Sequence, residues 1–265
     1  MKKRANYNLI IGAIITTVML IFMLTGLFFT PHDPNAMNAD FRFAGPSLTY
    51  IFGNDNFGRD LLSRVMTGSL NTLYVAVLTV FVGTFFGVII GGLTGYFGGI
   101  FDEIIMRIND TVFAFPSILL ALVIVSVLGN GRSNVILALG IAFIPSFARL
   151  VRAEFLKYKK MDFVVSAHAG GIKDMRIIFV HILPNTYTVL IPAIMIGFNN
   201  AVLAEAGMSY LGIGVMPPDA SLGRMLSESQ TYLQSAPAMV LAPGIVLILI
   251  VLGFSLLSDG LRTRA

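Results

Sequence analysis

Six apolar stretches constrain this chain more than anything else in it. They run roughly over 8–30, 71–97, 111–129, 134–151, 187–206 and 238–257, and each is almost free of charge. About 20 apolar residues in a helix cross the ~30 Å hydrocarbon core of a bilayer. In lipid the backbone must satisfy its own hydrogen bonds, so such runs form helices that span. The second run is long enough to tilt or to project past the bilayer. Apolar residues make up 56% of the chain and charged residues 12%, about half the charge a soluble domain carries. The expected fold class is an all-α polytopic membrane protein with six transmembrane helices. Pro145 and Pro192 fall inside the fourth and fifth runs, which packed membrane helices tolerate.

Six spans put both termini on one side, and the basic residues choose the side. With the N-terminus in the cytoplasm, Lys2, Lys3, Arg4, Arg107, Arg149, Arg152, Lys157, Lys159, Lys160, Lys173, Arg176, Arg262 and Arg264 lie inside. Only Arg42, Arg59, Arg64, Arg132 and Arg224 lie outside. An orientation with both termini cytoplasmic is expected. The run from Asn8 to Thr30 is longer than the ~7–15 residues of a signal-peptide core, and Pro31-His32-Asp33-Pro34 follows it as a turn. It is therefore expected to stay as the first span.

Two loops are long enough to carry structure. The outer one, 31–70, ends in Gly58 to Arg64, expected as a short helix on the membrane surface. The inner one covers 152–186. A third segment, 208–237, contains Pro217-Pro218 and an expected short helix from Ser221 to Leu233. Gly83, Gly87, Gly91, Gly95 and Gly99 recur every four residues. Such a stripe lies along one helix face and lets a second backbone approach. Helix packing is the expected role, with gating as the alternative.

Motifs for chemistry are missing. The chain has no cysteine, which excludes thiol catalysis and cysteine-ligated zinc. It has no Walker A, HExxH or GxSxG pattern, and Gly170-Gly171-Ile172-Lys173 lacks the phosphate-loop spacing. His32, His168 and His181 are divided between the two sides, so no metal site is expected. A net charge of +4 without an aromatic-and-basic surface speaks against nucleic acid. Ionisable groups inside spans default to function. Here Glu205 stands alone near the end of the fifth span, with Asn199 and Asn200 before it. Glu205 either pairs locally at the interface or lines a polar path with the two asparagines. So few buried carboxylates argue against ion-coupled transport by this chain alone, and its power must come from elsewhere.

The inner loop suggests the source. Asp162-Phe163-Val164-Val165-Ser166-Ala167-His168-Ala169-Gly170-Gly171, continued by His181-Ile182-Leu183-Pro184-Asn185, resembles the EAA loop of ABC importer permeases. Gly171 and Leu183-Pro184 match that pattern and Ala167 keeps its second alanine, while Val165 and Ser166 replace its Glu and first Ala. Phe52 to Asp60 resembles the GTDxxGRD segment of dipeptide, oligopeptide and nickel permeases. Tyr96-Phe97-Gly98-Gly99 with Asp102, Met106-Arg107 and Ala114-Phe115-Pro116 resembles their next segment. Gly207 to Val215 with Pro217-Pro218, and Ser258 to Arg262, resemble two more. Leu222 stands where that family usually has Trp. The resemblance runs from the first span to the last residues and is to the C-type subunit.

This resemblance implies a type I ABC importer transmembrane domain. A first helix and outer loop, 1–70, would precede a five-helix core, 71–265, carrying the loop 152–186. It implies a B-type permease partner, two cytoplasmic ATPase subunits that hold ATP and Mg, and an extracytoplasmic solute-binding protein. The chain itself would hold no cofactor and sit in the bacterial cytoplasmic membrane. Val165, Ser166, Ala167, His168, Gly171, Leu183 and Pro184 would couple to the ATPases. Asp55, Gly58, Arg59 and Asp60 would meet the binding protein. Basic residues around the loop would frame that docking face or serve only as anchors. Short peptides and nickel or another transition metal both remain as substrates. The Val165-Ser166 departure, the short N-terminus and Ala206 to Ser209 lean towards nickel. A stand-alone secondary transporter and a membrane scaffold are the rival readings.

Overall fold

The computed structural model describes residues 7–262, and no strand occurs among them beyond one isolated bridge between Asn54 and Asp60. Lys2, Lys3, Arg4 and Arg264, used above for orientation, lie outside the described residues. The helices are α1 (Tyr7–Phe28), α2 (Leu61–Phe97), α3 (Gly99–Phe113), α4 (Ser117–Leu128), α5 (Arg132–Tyr158), α6 (Asp162–Ala169), α7 (Asp174–Arg176), α8 (Tyr187–Tyr210), α9 (Leu222–Ser229) and α10 (Ala238–Arg262). From Asp174 the chain stays helical to Tyr210, through a π-helical stretch Ile177–Ile182 and a 3-10 turn Leu183–Thr186. Five helical runs are long and apolar enough to cross a membrane: α1, α2, α5, 174–210 and α10.

The third expected span is broken. α3 and α4 meet at an angle of 88°. Pro116 lacks an amide hydrogen, and its ring turns the residue before it away from helical angles, so α3 ends ahead of it and α4 starts afresh. With 12 residues, α4 is only ~18 Å long, too short to span alone, so the pair forms an elbow and not one straight span. The expected surface helix at 58–64 is also absent. Asp60 caps α2 instead, accepting from the Ser63 amide at 3.0 Å, and α2 runs unbroken for 37 residues from Leu61. The division expected at residue 70 therefore falls inside α2. α2 ends where Gly98 and Gly99 adopt φ of 68° and 63°, angles that glycine reaches without a Cβ penalty.

The packing follows the glycines. α2 lies along α5. A methyl group built on Gly83, Gly87 or Gly95 would come 2.9, 2.5 and 2.7 Å from the Cβ of Phe143, Phe147 and Phe155. One on Gly91 would run into the Ala148 carbonyl oxygen. Gly99 does not belong to this seam: nothing lies within 4 Å of its Cβ position, because the chain has already turned into α3. A second seam joins α1 to α10, where Gly12 meets Leu256 and Leu257, Gly253 meets Ile15 and Thr16, and Gly260 meets Leu9. α8 packs on both α2 and α10, and α4 on α5. Pro145, Pro192 and Pro243 sit inside α5, α8 and α10.

Candidate functional site

Three regions hold the residues singled out in the sequence. The first is a cavity of about 600 Å³ between the start of α4, the middle of α5 and α8. Ile118, Phe143, Phe147, Ile196 and Leu203 give it apolar walls, and Ser117, Ser146 and Asn200 supply its polar groups. No ionisable side chain lines it. Ser117, Ser146, Ile196, Asn200 and Leu203 are exposed, so the cavity opens on the flank of the bundle.

Of the three polar residues expected to line a path together, only Asn200 borders this cavity. Asn199 turns inward, is 9% exposed and its Oδ1 has no partner. Glu205 is fully buried. It accepts from Thr72 Oγ1 at 2.7 Å and Ser209 Oγ at 2.6 Å, and the Ser221 hydroxyl lies beside it. Glu205 thus joins α8 to α2 and to the cap of α9, a clasp inside the protein and not part of the cavity wall. Helical spacing explains the split, since consecutive residues point about 100° apart.

The second region is the end of the bundle where α5 hands over to α8. Val164 of α6 is buried against a core of Tyr96, Val151, Phe155, Ile177, Ile178 and Ile182. Val165, Ser166 and His168 point outward, Ala167 and Leu183 are half-buried, and Pro184 is exposed. Phe163 and Val165 are 40% and 56% exposed, so the outward face is apolar as well as small. Gly171 closes α6 with φ of 77°. Its amide donates to the His168 carbonyl at 3.0 Å and that of Ile172 to Ala167 at 3.1 Å. This left-handed ending favours glycine.

The third region lies at the opposite end. Asp55, Gly58, Arg59 and Asp60, expected to meet the binding protein, are buried there within this chain. Arg59 Nε donates to Asp55 Oδ2 at 2.6 Å, and Arg64 lies 3.6 Å from the same carboxylate. Both arginines reach Glu228 near the end of α9, at 3.6 and 3.9 Å. Arg64 also donates to the Pro34 carbonyl at 3.2 Å. These charges fold the 29–60 loop onto α2 and α9. Losing one member would strand a buried charge, a cost of ~3–5 kcal/mol. The surface on offer there is Met37, Leu48, Ile51 and Phe57.

The model of the family described as "Binding-protein-dependent transport system inner membrane component" matches residues 83–265. This stretch contains the cavity, the α6 turn and the glycine seam. The chain belongs to that family of permeases. A dipeptide transport system permease protein, DppC of Alkalihalophilus pseudofirmus, is 39% identical over 259 residues, 98% of this chain and 85% of the relative. DppC of Haemophilus influenzae is 36% identical over 265 residues, 98% of this chain and 90% of the relative. The glutathione transport system permease protein GsiD of Escherichia coli is 39% identical over 260 residues, 98% of this chain and 86% of the relative. Among solved structures, an inward-facing form of the MetNI methionine ABC transporter matches with a TM-score of 0.60 and 20% identity, over 76% of this chain and 96% of that one. The fold is thus that of a type I ABC importer membrane domain.

The chain is a transport component of the dipeptide and oligopeptide type within this ABC permease family. Several of the permease's site residues carry little sequence signal. Ser117 and Ser146 are ordinary serines until the elbow and α5 bring them to one cavity. Thr72 and Ser221 become partners of Glu205 only across the bundle. Gly253 and Gly260, seven apart on one helix face, are the legible trace of the α1–α10 seam.

Proposed function

We propose that this chain is one of two membrane-spanning subunits of an ATP-driven importer of short peptides in the cytoplasmic membrane. The observation that carries the reading is the cavity between α4, α5 and α8. It is neutral, with hydroxyl and amide groups set among apolar walls. Such a lining suits a peptide, whose amides need hydrogen-bonding partners and whose side chains vary. The dipeptide and glutathione permeases among its relatives favour the same class over the nickel alternative. Its open flank would be closed by the second, B-type permease. Two cytoplasmic ATPases, carrying ATP and Mg, would dock on the outward face of α6 around Val165, Ser166, His168 and Gly171. A solute-binding protein would deliver peptide at the other end. Closure of the ATPases on ATP would push α6 and alternate the access of the cavity.

Asn200→Trp should fill the cavity from α8. In the assembled complex it is expected to cut peptide uptake by at least ~10-fold, an effect of ~1.4 kcal/mol or more, while subunit retention and basal ATP hydrolysis persist. Unchanged uptake would mean that peptide takes another route.

Orientation can be read with cysteines, since the chain has none of its own. Cysteines at Leu48 and Asp219, both exposed, are expected to react with an impermeant maleimide from outside the cell membrane. One at Lys160, exposed beside α6, should react only after lysis. The opposite pattern would invert the topology.

A further inference from the structure

We propose that Tyr96 and Asp174 form a latch that positions the α6 coupling element, and that this bond passes its motion to the long helix α2. The proposal rests on the reading of α6 as the ATPase contact. Tyr96 is the penultimate residue of α2 and is 7% exposed. Its hydroxyl donates to Asp174 Oδ1 at 2.6 Å. Asp174 begins the 37-residue helical run 174–210 that leads to the cavity. On the other side of the loop, Lys159 donates from Nζ to the Tyr96 carbonyl oxygen, and the ammonium lies 5.5 Å from the ring centroid. The segment between Lys159 and Asp174, which includes α6 and the Gly171 turn, is therefore pinned at both ends to one residue of α2.

The neighbouring hydrogen bond from the Tyr158 hydroxyl to the Asn185 carbonyl, at 2.9 Å, ties α5 to the run 174–210 and does not reach α2. The rest of this core is Val151, Phe155, Val164, Ile177, Ile178 and Ile182, and apolar surfaces hold without direction. A short hydrogen bond between two helix ends fixes both distance and angle. α2 is then held rigidly onward, through the glycine seam to α5 and through Thr72 and Glu205 to α8. A push on α6 would move α2, α5 and α8 together, leaving the 88° elbow of α3 and α4 to accommodate the change.

The competing role for Asp174 is its charge, either towards His168, whose Nδ1 is 3.7 Å away, or towards a partner subunit. Three substitutions separate the two. Tyr96→Phe removes the donor, Asp174→Ala removes the acceptor, and Asp174→Asn removes the charge but keeps an acceptor oxygen. They are measured in the complete complex with binding protein, dipeptide and ATP, reading subunit retention, basal ATPase, peptide-stimulated ATPase and uptake. A net hydrogen bond corresponds to a factor of about five. Tyr96→Phe and Asp174→Ala should each lower stimulation and uptake by about that factor, without adding in the double variant. Asp174→Asn should stay near wild type, and all should retain subunits and basal hydrolysis. Loss in Asp174→Asn equal to that in Asp174→Ala, or wild-type stimulation in Tyr96→Phe, would overturn the latch. Should Tyr96→Phe not assemble, the two Asp174 variants decide, because that side chain is 46% exposed and stands at the very first residue of its helical run. A wild-type complex that peptide does not stimulate would overturn the importer reading and the latch with it. Stimulation that survives every variant would overturn the latch alone.

Discussion

Gly91→Leu is expected to stop this permease from accumulating as a folded protein. The Gly91 position faces the α5 backbone, where even a methyl group would strike the Ala148 carbonyl oxygen and lie 2.9 Å from the Arg152 amide nitrogen. Both are backbone atoms, so no side chain can swing aside. The helices must separate, and the contacts along Gly83, Gly87 and Gly95 loosen with them. Overpacking a core costs ~1–3 kcal/mol where neighbours can adjust; here they cannot, and the loss should reach or exceed that range. The check is the yield of monodisperse protein in detergent and its melting temperature. Gly99→Leu is the control. Nothing lies near its Cβ position, although its φ of 63° adds a local cost. It should fold far better than Gly91→Leu, and equal yields from the two would show that α2 and α5 do not pack by this seam.

The second large effect is expected at the α6 turn. Gly171→Val should remove coupling without removing the protein. Gly171 has φ of 77°, a region in which a β-branched residue is a genuine outlier, and strain of this kind costs ~1–3 kcal/mol. The turn can relieve it only by moving α6. The spans should insert and assemble, because open space surrounds the Gly171 Cβ position and the turn lies outside them. Peptide-stimulated ATP hydrolysis and uptake should fall to background while basal hydrolysis remains. Gly170 has an ordinary φ of −75° and contacts no closer than 3.4 Å, so Gly170→Ala should keep most activity. Full stimulation in Gly171→Val would remove α6 from the ATPase contact.

Apolar run length made α1, α2, α5, α8 and α10 legible in the sequence, because lipid leaves a spanning segment little choice of structure. The α3–α4 elbow was not legible in the same way. A hydropathy window averages across Ala114-Phe115-Pro116 and cannot register a turn of 88°; the proline was its only mark. The four-residue glycine period located the α2–α5 seam but ran one glycine too far. Gly99 keeps the spacing after the helix has ended at Phe97.

Charged residues carry the least positional information in the sequence. Asp55, Arg59 and Asp60 sit in a motif-like segment and would serve equally well on a surface or in a folded loop. Their burial in this chain depends on Arg64 and on Glu228, which lies far along the chain. Glu205 presented the same difficulty. Its depth in the bundle and its hydroxyl partners on α2 and α9 come from tertiary packing, while its own neighbours Asn199 and Asn200 point elsewhere. The α6 turn was easier, because a glycine forced into left-handed angles leaves its trace in the residue type.

The most direct test of the account is peptide uptake into proteoliposomes containing this chain, the second permease and both ATPases. Labelled dipeptide is supplied with the binding protein, nucleotide is placed on the ATPase side, and ion gradients are imposed or collapsed. The account predicts uptake that requires ATP and binding protein and is indifferent to the gradients. Uptake by this chain alone, driven by a gradient and independent of ATP, would contradict it.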